Sequence, residues 1–248
     1  MEVPCLIGER LNFTGSAAFA QAFLDHEWSA IEQMAAQQVD AGASVLDVCL
    51  SGCGRGEAQA TVEFYNYCQI GAPVFIDSMN PEVMEAAVQV FPSVAAFNSA
   101  NLARGAAKFQ LVCELAAHYK VSVVAACIDE DGIATTAAAK LRIAERLLEL
   151  ASAILPLDRI ILDLLALPLR TLPNSGAESL TAVREMARSF PEVRTLLAIS
   201  NVSYSLAPRA RAACERDFLE RALGAGLSCA IANTARCKGL IGKATHYI

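Results

Sequence analysis

The sequence predicts an α/β chain folded as a single (β/α)8 TIM barrel, and three observations predict it. Eight apolar, partly β-branched runs each stop at a polar residue: Glu9, Asp47, Asp77, Asn98, Asp129, Asp163, Asn201 and Asn233. The steps between those residues are 38, 30, 21, 31, 34, 38 and 32, and a strand, a helix and two loops need on the order of 30 residues. The length of 248 residues suits one such barrel, which occupies about 250. A doubly wound sheet is the competing arrangement. It ordinarily carries a Gly-rich phosphate turn after its first strand, and here that turn reads Gly8-Glu9-Arg10-Leu11-Asn12. The whole chain, 1–248, is therefore read as one domain.

The elements follow in order. Val3 to Gly8 is the first strand, followed by one amphipathic helix from about Ala17 to Asp40 that Gly42 stops. Ser44 to Val48 is the second strand, with a Gly-rich loop from Ser51 to Gly56 before a helix over Glu57 to Gln69. Pro73 to Ile76 is the third; Asn80 then caps a short helix with Pro81 in its first turn. Val94 to Phe97 leads to a helix over Leu102 to Tyr119, and Val121 to Ile128 leads through Asp129-Glu130-Asp131-Gly132 to a helix over Ala134 to Ile154. Arg159 to Leu162 precedes a helix over Ala177 to Ser189, and Thr195 to Ile199 precedes one over Arg209 to Ala225. Ser228 to Ala232 is the eighth strand, and with 15 residues after Asn233 the last helix must be short or imperfect.

Composition bounds the function. Apolar residues make up 54% of the chain, enough for a sizeable core, and the formal charge is −6 with no Lys/Arg cluster, so no nucleic-acid partner is expected. No apolar run reaches the roughly 18 residues of a membrane span, and Met1-Glu2-Val3-Pro4 lacks the basic start of a signal peptide. The chain is read as soluble and cytoplasmic, without a membrane partner. Nine cysteines scatter through apolar runs without a Cys-x-x-Cys pair, which argues for reduced thiols in a reducing compartment. Cys49, Cys53 and Cys127 could meet at one face, but their spacing matches no common zinc pattern, so no metal site is expected.

In a barrel of this type the active site lies at the C-terminal ends of the strands. Four aspartates, a glutamate and three asparagines there make an acidic, acceptor-rich basin, suited to a ligand that presents several N–H donors. The aminopyrimidine edge of a pterin fits that description. Each such residue also has a bland reading as a helix cap or Asx turn. That reading is weaker for Asp77, whose neighbour Asn80 already supplies the cap, and for Asp163, a carboxylate set between Leu162 and Leu164. Asn201 ends the run Leu196 to Ile199 within Ser200-Asn201 and is the first choice for a functional residue. His26, His118 and His246 fall in helices or the tail and are read as surface residues. With no nucleophile or titrating histidine at the mouth, the chemistry rests on positioning and hydrogen bonding.

The order and spacing of several segments carry a resemblance. They are Ile7-Gly8-Glu9-Arg10-Leu11-Asn12 with Thr14-Gly15, Gly42-Ala43 leading to Leu46-Asp47-Val48, Ile76-Asp77-Ser78, Phe97-Asn98-Ser99, Asp129 to Gly132, and Ser200-Asn201-Val202-Ser203. Over nearly its whole length the chain resembles the pterin-binding methyltransferases, including the methyltetrahydrofolate domain of cobalamin-dependent methionine synthase and the corrinoid-protein methyltransferases of acetogens. The resemblance implies a barrel that holds methyltetrahydrofolate and passes its N5-methyl to or from the cobalt of a corrinoid on a partner protein or domain. It implies that Asp77, Asn98 and Asp163 hold the pterin ring and that Asn201 hydrogen-bonds N5. Asp47 matches a further motif aspartate, Arg209 falls where an arginine is common, and Glu9, Asn12, Asp129, Ser203 and Asn233 complete the substrate-binding set. A homodimer is a further family expectation. Cys49, Leu164 and Cys214 depart from the family pattern. Two other readings stand beside this one: a folate-binding subunit without catalysis, and dihydropteroate synthase, whose Asn-Val-Thr and Lys-Pro-Gly style motifs are missing.

Overall fold

The computed structural model describes residues 4–54 and 56–241. Met1 to Val3, Arg55 of the predicted loop and His246 lie outside the described residues. In chain order the strands are β1 (Cys5–Asn12), β2 (Val45–Cys49), β3 (Val74–Asp77), β4 (Val94–Ala100), β5 (Ser122–Ala126), β6 (Ile128–Asp129), β7 (Gly132–Ile133), β8 (Ile160–Asp163), β9 (Arg194–Ala198) and β10 (Cys229–Ala232). The helices are α1 (Ala17–Leu24), α2 (Trp28–Asp40), α3 (Glu57–Tyr67), α4 (Pro81–Val90), α5 (Ala106–Tyr119), α6 (Ala137–Ser152), α7 (Ser175–Ser189), α8 (Pro208–Gly224) and the four-residue α9 (Thr234–Cys237). Eight parallel strands close in the order β1-β10-β9-β8-β5-β4-β3-β2, while β6 and β7 form a separate antiparallel hairpin. The predicted (β/α)8 barrel is therefore the fold.

The strands read as buried apolar runs because both of their faces are covered. One row of side chains points into the barrel: Cys5 and Ile7, Val45, Phe75, Ala96, Val124, Ile161, Leu196, Cys229 and Ile231 form one buried cluster. The alternate residues, among them Leu46, Ile76, Phe97, Leu162 and Leu197, belong to the larger layer between strands and helices. Side chains alternate along a strand. Two positions beyond the inward Ile7, Val45, Phe75, Ala96, Ile161 and Ile231 stand Glu9, Asp47, Asp77, Asn98, Asp163 and Asn233. The barrel is thus apolar below and polar at its C-terminal mouth.

Several elements differ from the sequence expectation; β4 runs on past Phe97 to Ala100, so Asn98 lies within the strand, and α5 begins at Ala106. The single predicted helix from Ala17 to Asp40 is two, α1 and α2, because His26 takes a left-handed backbone (φ 56°) after the Asp25 cap. His26 thus lies in the break, exposed and paired with Glu63 at 3.1 Å. Strand β1 runs on to Asn12 through a register irregularity between Gly8 and Leu11, so Glu9 and Asn12 are part of the strand. The fifth run ends at Ala126, and Ile128 opens the hairpin instead. Gly42 stops α2 as expected, at φ 112°, where its N–H reaches the Val39 carbonyl at 3.0 Å.

Candidate active site at the barrel mouth

The inward polar layer begins at the neighbouring strands β2, β3 and β4. Asn98 Nδ2 donates to Asp47 Oδ1 at 2.9 Å, and Asp77 stands in register with Asn98. Asp47 is 4% exposed; burial pushes its carboxyl well above the usual range, and the nearby Asp77 charge pushes it further. Asp77 is raised to about 6, again chiefly by burial, although the neighbouring Cys49 thiol opposes the shift. Cys49, where the resembling family carries asparagine, thus lies beside Asp77. Beside Asp77 lies a cavity of about 10 Å³, also lined by Glu57, Thr61 and Tyr65, with Glu57 Oε1 and the Tyr65 hydroxyl buried and unpartnered among the described residues. That volume is on the scale of one buried water.

Across the barrel, β8 delivers Asp163, whose Oδ1 accepts the Leu165 N–H at 2.9 Å. Burial raises this carboxyl to about 6, against the pull of that N–H and of Lys140. Lys140 is fully buried on α6 and donates to the carbonyls of Leu164 and Leu165. Burial lowers its ammonium to about 8, and the Asp163 charge opposes that. It braces the loop after β8, in which Leu165 takes a left-handed backbone (φ 57°).

The run ending at Asn201 leaves β9 in a 3-10 turn, Ile199–Ser203. Asn201 is exposed there, flanked by buried Val202 and Ser203. Ser200 neighbours Glu9, whose carboxyl burial raises further than that hydroxyl and the nearby arginines lower it. The Ser203 hydroxyl lies 3.0 Å from the Ser200 carbonyl and in short contact with Glu215 Oε1, donating to one at a time. Ser203 is thus turned inward against α8.

The other expected residues are placed differently. Asn12 Oδ1 accepts from Gly15 N–H at 2.7 Å and Thr14 Oγ1 at 3.1 Å, an Asx turn that shapes the loop before α1. Asp129 is bound to Arg142 at 3.1 Å and to the Asp131 N–H at 3.0 Å. It lines a separate hollow of about 380 Å³ with Glu130, Asp131, Arg142, Ile143 and Arg146. Asn233 keeps its place in the inward layer at the start of α9, its side chain making no cap hydrogen bond, whereas Arg209 is exposed in the first turn of α8. Cys49 lies against Asp77 while the Cys127 thiol donates to the Lys140 carbonyl at 3.5 Å; among the described residues no group of three or more His, Cys, Asp or Glu side chains is arranged to hold a metal ion. Lys140, Glu215 and Arg236 were missed because they are not strand-end residues. The available signal was a charged residue on an apolar helix stripe: Lys140 falls among buried Ala137, Ile143, Ala144 and Leu147, and Glu215 among Phe218, Leu219 and Ala222.

A closed parallel barrel with carboxylates and a carboxamide turned inward at its C-terminal mouth belongs to the class of barrels whose active site lies at that end. The chain belongs to the pterin-binding enzyme family, whose pattern matches residues 8–235. It is 31% identical over 242 residues to the methionine synthases of Mycobacterium tuberculosis and Mycobacterium leprae, an alignment that covers 93% of this chain and 20% of each relative. It therefore spans about a fifth of the length of those relatives. Solved structures of similar fold include dihydropteroate synthase from Coxiella burnetii (TM-score 0.69, 15% identity, covering 96% of this chain and 90% of that one). Another is dihydropteroate synthase from Xanthomonas albilineans (TM-score 0.66, 17% identity, covering 95% and 90%). At those identities the likeness is one of fold.

Proposed function

We propose that the chain is the methyltetrahydrofolate-binding barrel of a methyl transfer between N5 of the pterin and the cobalt of a corrinoid carried by a partner protein or by a further part of the same polypeptide. The observation that carries this reading is the inward layer itself. Asp47 is a buried carboxylate and Asp77 and Asp163 are half-buried ones, with few protein donors each, and a carboxylate accepts only. A ring edge with an amino group and ring N–H groups would satisfy them, while Asn98 both accepts and donates. The charged groups of that layer are carboxylates, which disfavours a diphosphate-bearing substrate and hence the dihydropteroate synthase reaction.

The corrinoid would supply the cobalt nucleophile that accepts the methyl group. The protein's part is to hold the pterin and to make N5 leave. As the N5–methyl bond breaks, its electron pair stays on N5, which must carry a proton or a strong hydrogen bond. The Asn201 carboxamide can donate to that nitrogen without titrating, and such a donor counts most where charge changes in the transition state. Asn201→Ala is expected to slow consumption of Co(I) cobalamin by methyltetrahydrofolate about 10²–10³-fold, with the pterin still bound near its wild-type affinity in a calorimetric titration. Equal losses of affinity and rate would reduce Asn201 to an ordinary ligand contact. Binding without transfer by the wild-type protein would favour a non-catalytic folate-binding subunit.

A further inference from the structure

Glu215 does not end a strand, yet it meets two of the loops that build the mouth, those after β9 and β10. It is fully buried, on the apolar stripe of α8. Its Oε1 accepts from Ser203 Oγ, at the end of the 3-10 turn after β9, and from Arg236 Nη1 at 2.7 Å, on the short helix after β10. Its Oε2 is buried with no hydrogen-bond partner among the described residues. Buried ion pairs are poor value as stability devices, since apolar residues of the same size commonly do as well. A carboxylate kept here at that cost has a reason beyond packing.

The turn supplies one. Ile199–Ser203 starts beside Glu9 of β1, which neighbours Ser200, and is tied at its close, where Ser203 meets Glu215. Two residues before that tie sits Asn201, its side chain exposed and its carbonyl accepting the Tyr204 N–H at 3.1 Å. An exposed side chain on a short turn is aimed only as well as its backbone is held. We propose that Glu215 is a positioning residue: through Ser203, with Arg236 fixing its own carboxylate, it holds the turn so that the Asn201 amide meets the reacting nitrogen of the pterin. This rests on the methyl-transfer reading above.

The test is a double-mutant cycle on the protein with methyltetrahydrofolate and Co(I) cobalamin, with the pterin dissociation constant measured alongside. Ser203→Ala and Glu215→Ala are each expected to slow transfer about ten- to a hundredfold, the scale of a small misplacement of a reacting group, with pterin affinity near wild type. Glu215→Gln, which keeps an acceptor for Ser203, should recover most of the rate. In an Asn201→Ala background neither change should slow transfer further, because the group being aimed is gone. Ser203→Ala removes a single hydroxyl and keeps the test open if Glu215→Ala fails to fold. Equal losses with and without Asn201, a parallel loss of pterin affinity, or no loss at all would overturn the assignment while leaving the methyl-transfer reading intact. A wild-type protein that binds the pterin and transfers nothing would instead overturn that reading, and this assignment with it.

Discussion

Asp163 makes the cost of the inward layer measurable. Its carboxyl is raised to about 6 by burial, whereas an unfolded aspartate titrates near 3.9. Between about pH 4 and pH 6 the folded protein therefore holds a proton that the unfolded chain does not, so stability falls as pH rises through that window and levels off above it. Asp163→Asn keeps an acceptor for the Leu165 N–H and removes the ionisation. Relative to wild type, it is expected to gain on the order of 1–3 kcal/mol in unfolding free energy between pH 4 and pH 7.5, read from urea melts; a difference that stays flat across that range would mean Asp163 titrates normally. The same residue was legible in the sequence, since a carboxylate enclosed by Leu162 and Leu164 needs a reason. Asp47, Asp77 and Asn98 were legible for a related reason: each ends an apolar run, and alternation from Val45, Phe75 and Ala96 turns each inward. Ser203 was legible only as a motif member, because the direction it faces depends on Glu215, a residue 12 positions away on another element.

At the scale of elements, β1 and α2 meet at Gly8, where a close approach needs the missing Cβ. A methyl group there would lie 2.6 Å from Gln38 Oε1 and 2.9 Å from Leu46 Cδ2. Gln38 cannot swing away freely, since its Oε1 accepts the Arg10 N–H at 2.8 Å at the irregularity in β1. Gly8→Ala is expected to cost about 1–3 kcal/mol through repacking and that lost bond, seen as a lower midpoint in chemical denaturation; an unchanged midpoint would show that Gln38 moves without penalty. All eight barrel strands were legible from the polar stops of their apolar runs, because a strand buried on both faces must change character where it reaches water. The break between α1 and α2 was not. The apolar period runs through Asp25-His26-Glu27, and the left-handed residue there is a histidine, not the glycine that marks such a bend in a sequence. The extension of β1 escaped for a similar reason, since a local irregularity adds residues without disturbing the apolar pattern before it.

Over the whole molecule, the exposed apolar side chains are unevenly placed. Of the seven large exposed hydrophobics among the described residues, Met79, Ile133, Leu172 and Tyr204 lie on four different strand-to-helix loops, after β3, β5, β8 and β9. Single exposed apolar residues need no explanation, but four on the loops at one end of a barrel place an apolar rim around an acidic cup. The two zones divide the proposed reaction. In that proposal the cup would take the hydrogen-bonding pterin, and the rim would offer dispersion contact to the macrocycle presented by its carrier. Ile133 is 56% and Tyr204 65% exposed, so their substitution costs the fold little. Ile133→Ser with Tyr204→Ser is expected to raise KM for a corrinoid protein about tenfold, the loss of roughly 1.4 kcal/mol of contact, while pterin affinity by calorimetry stays at the wild-type value. If pterin affinity fell instead, the rim would belong to the folate site; an unchanged KM would place the carrier's contact elsewhere on the molecule.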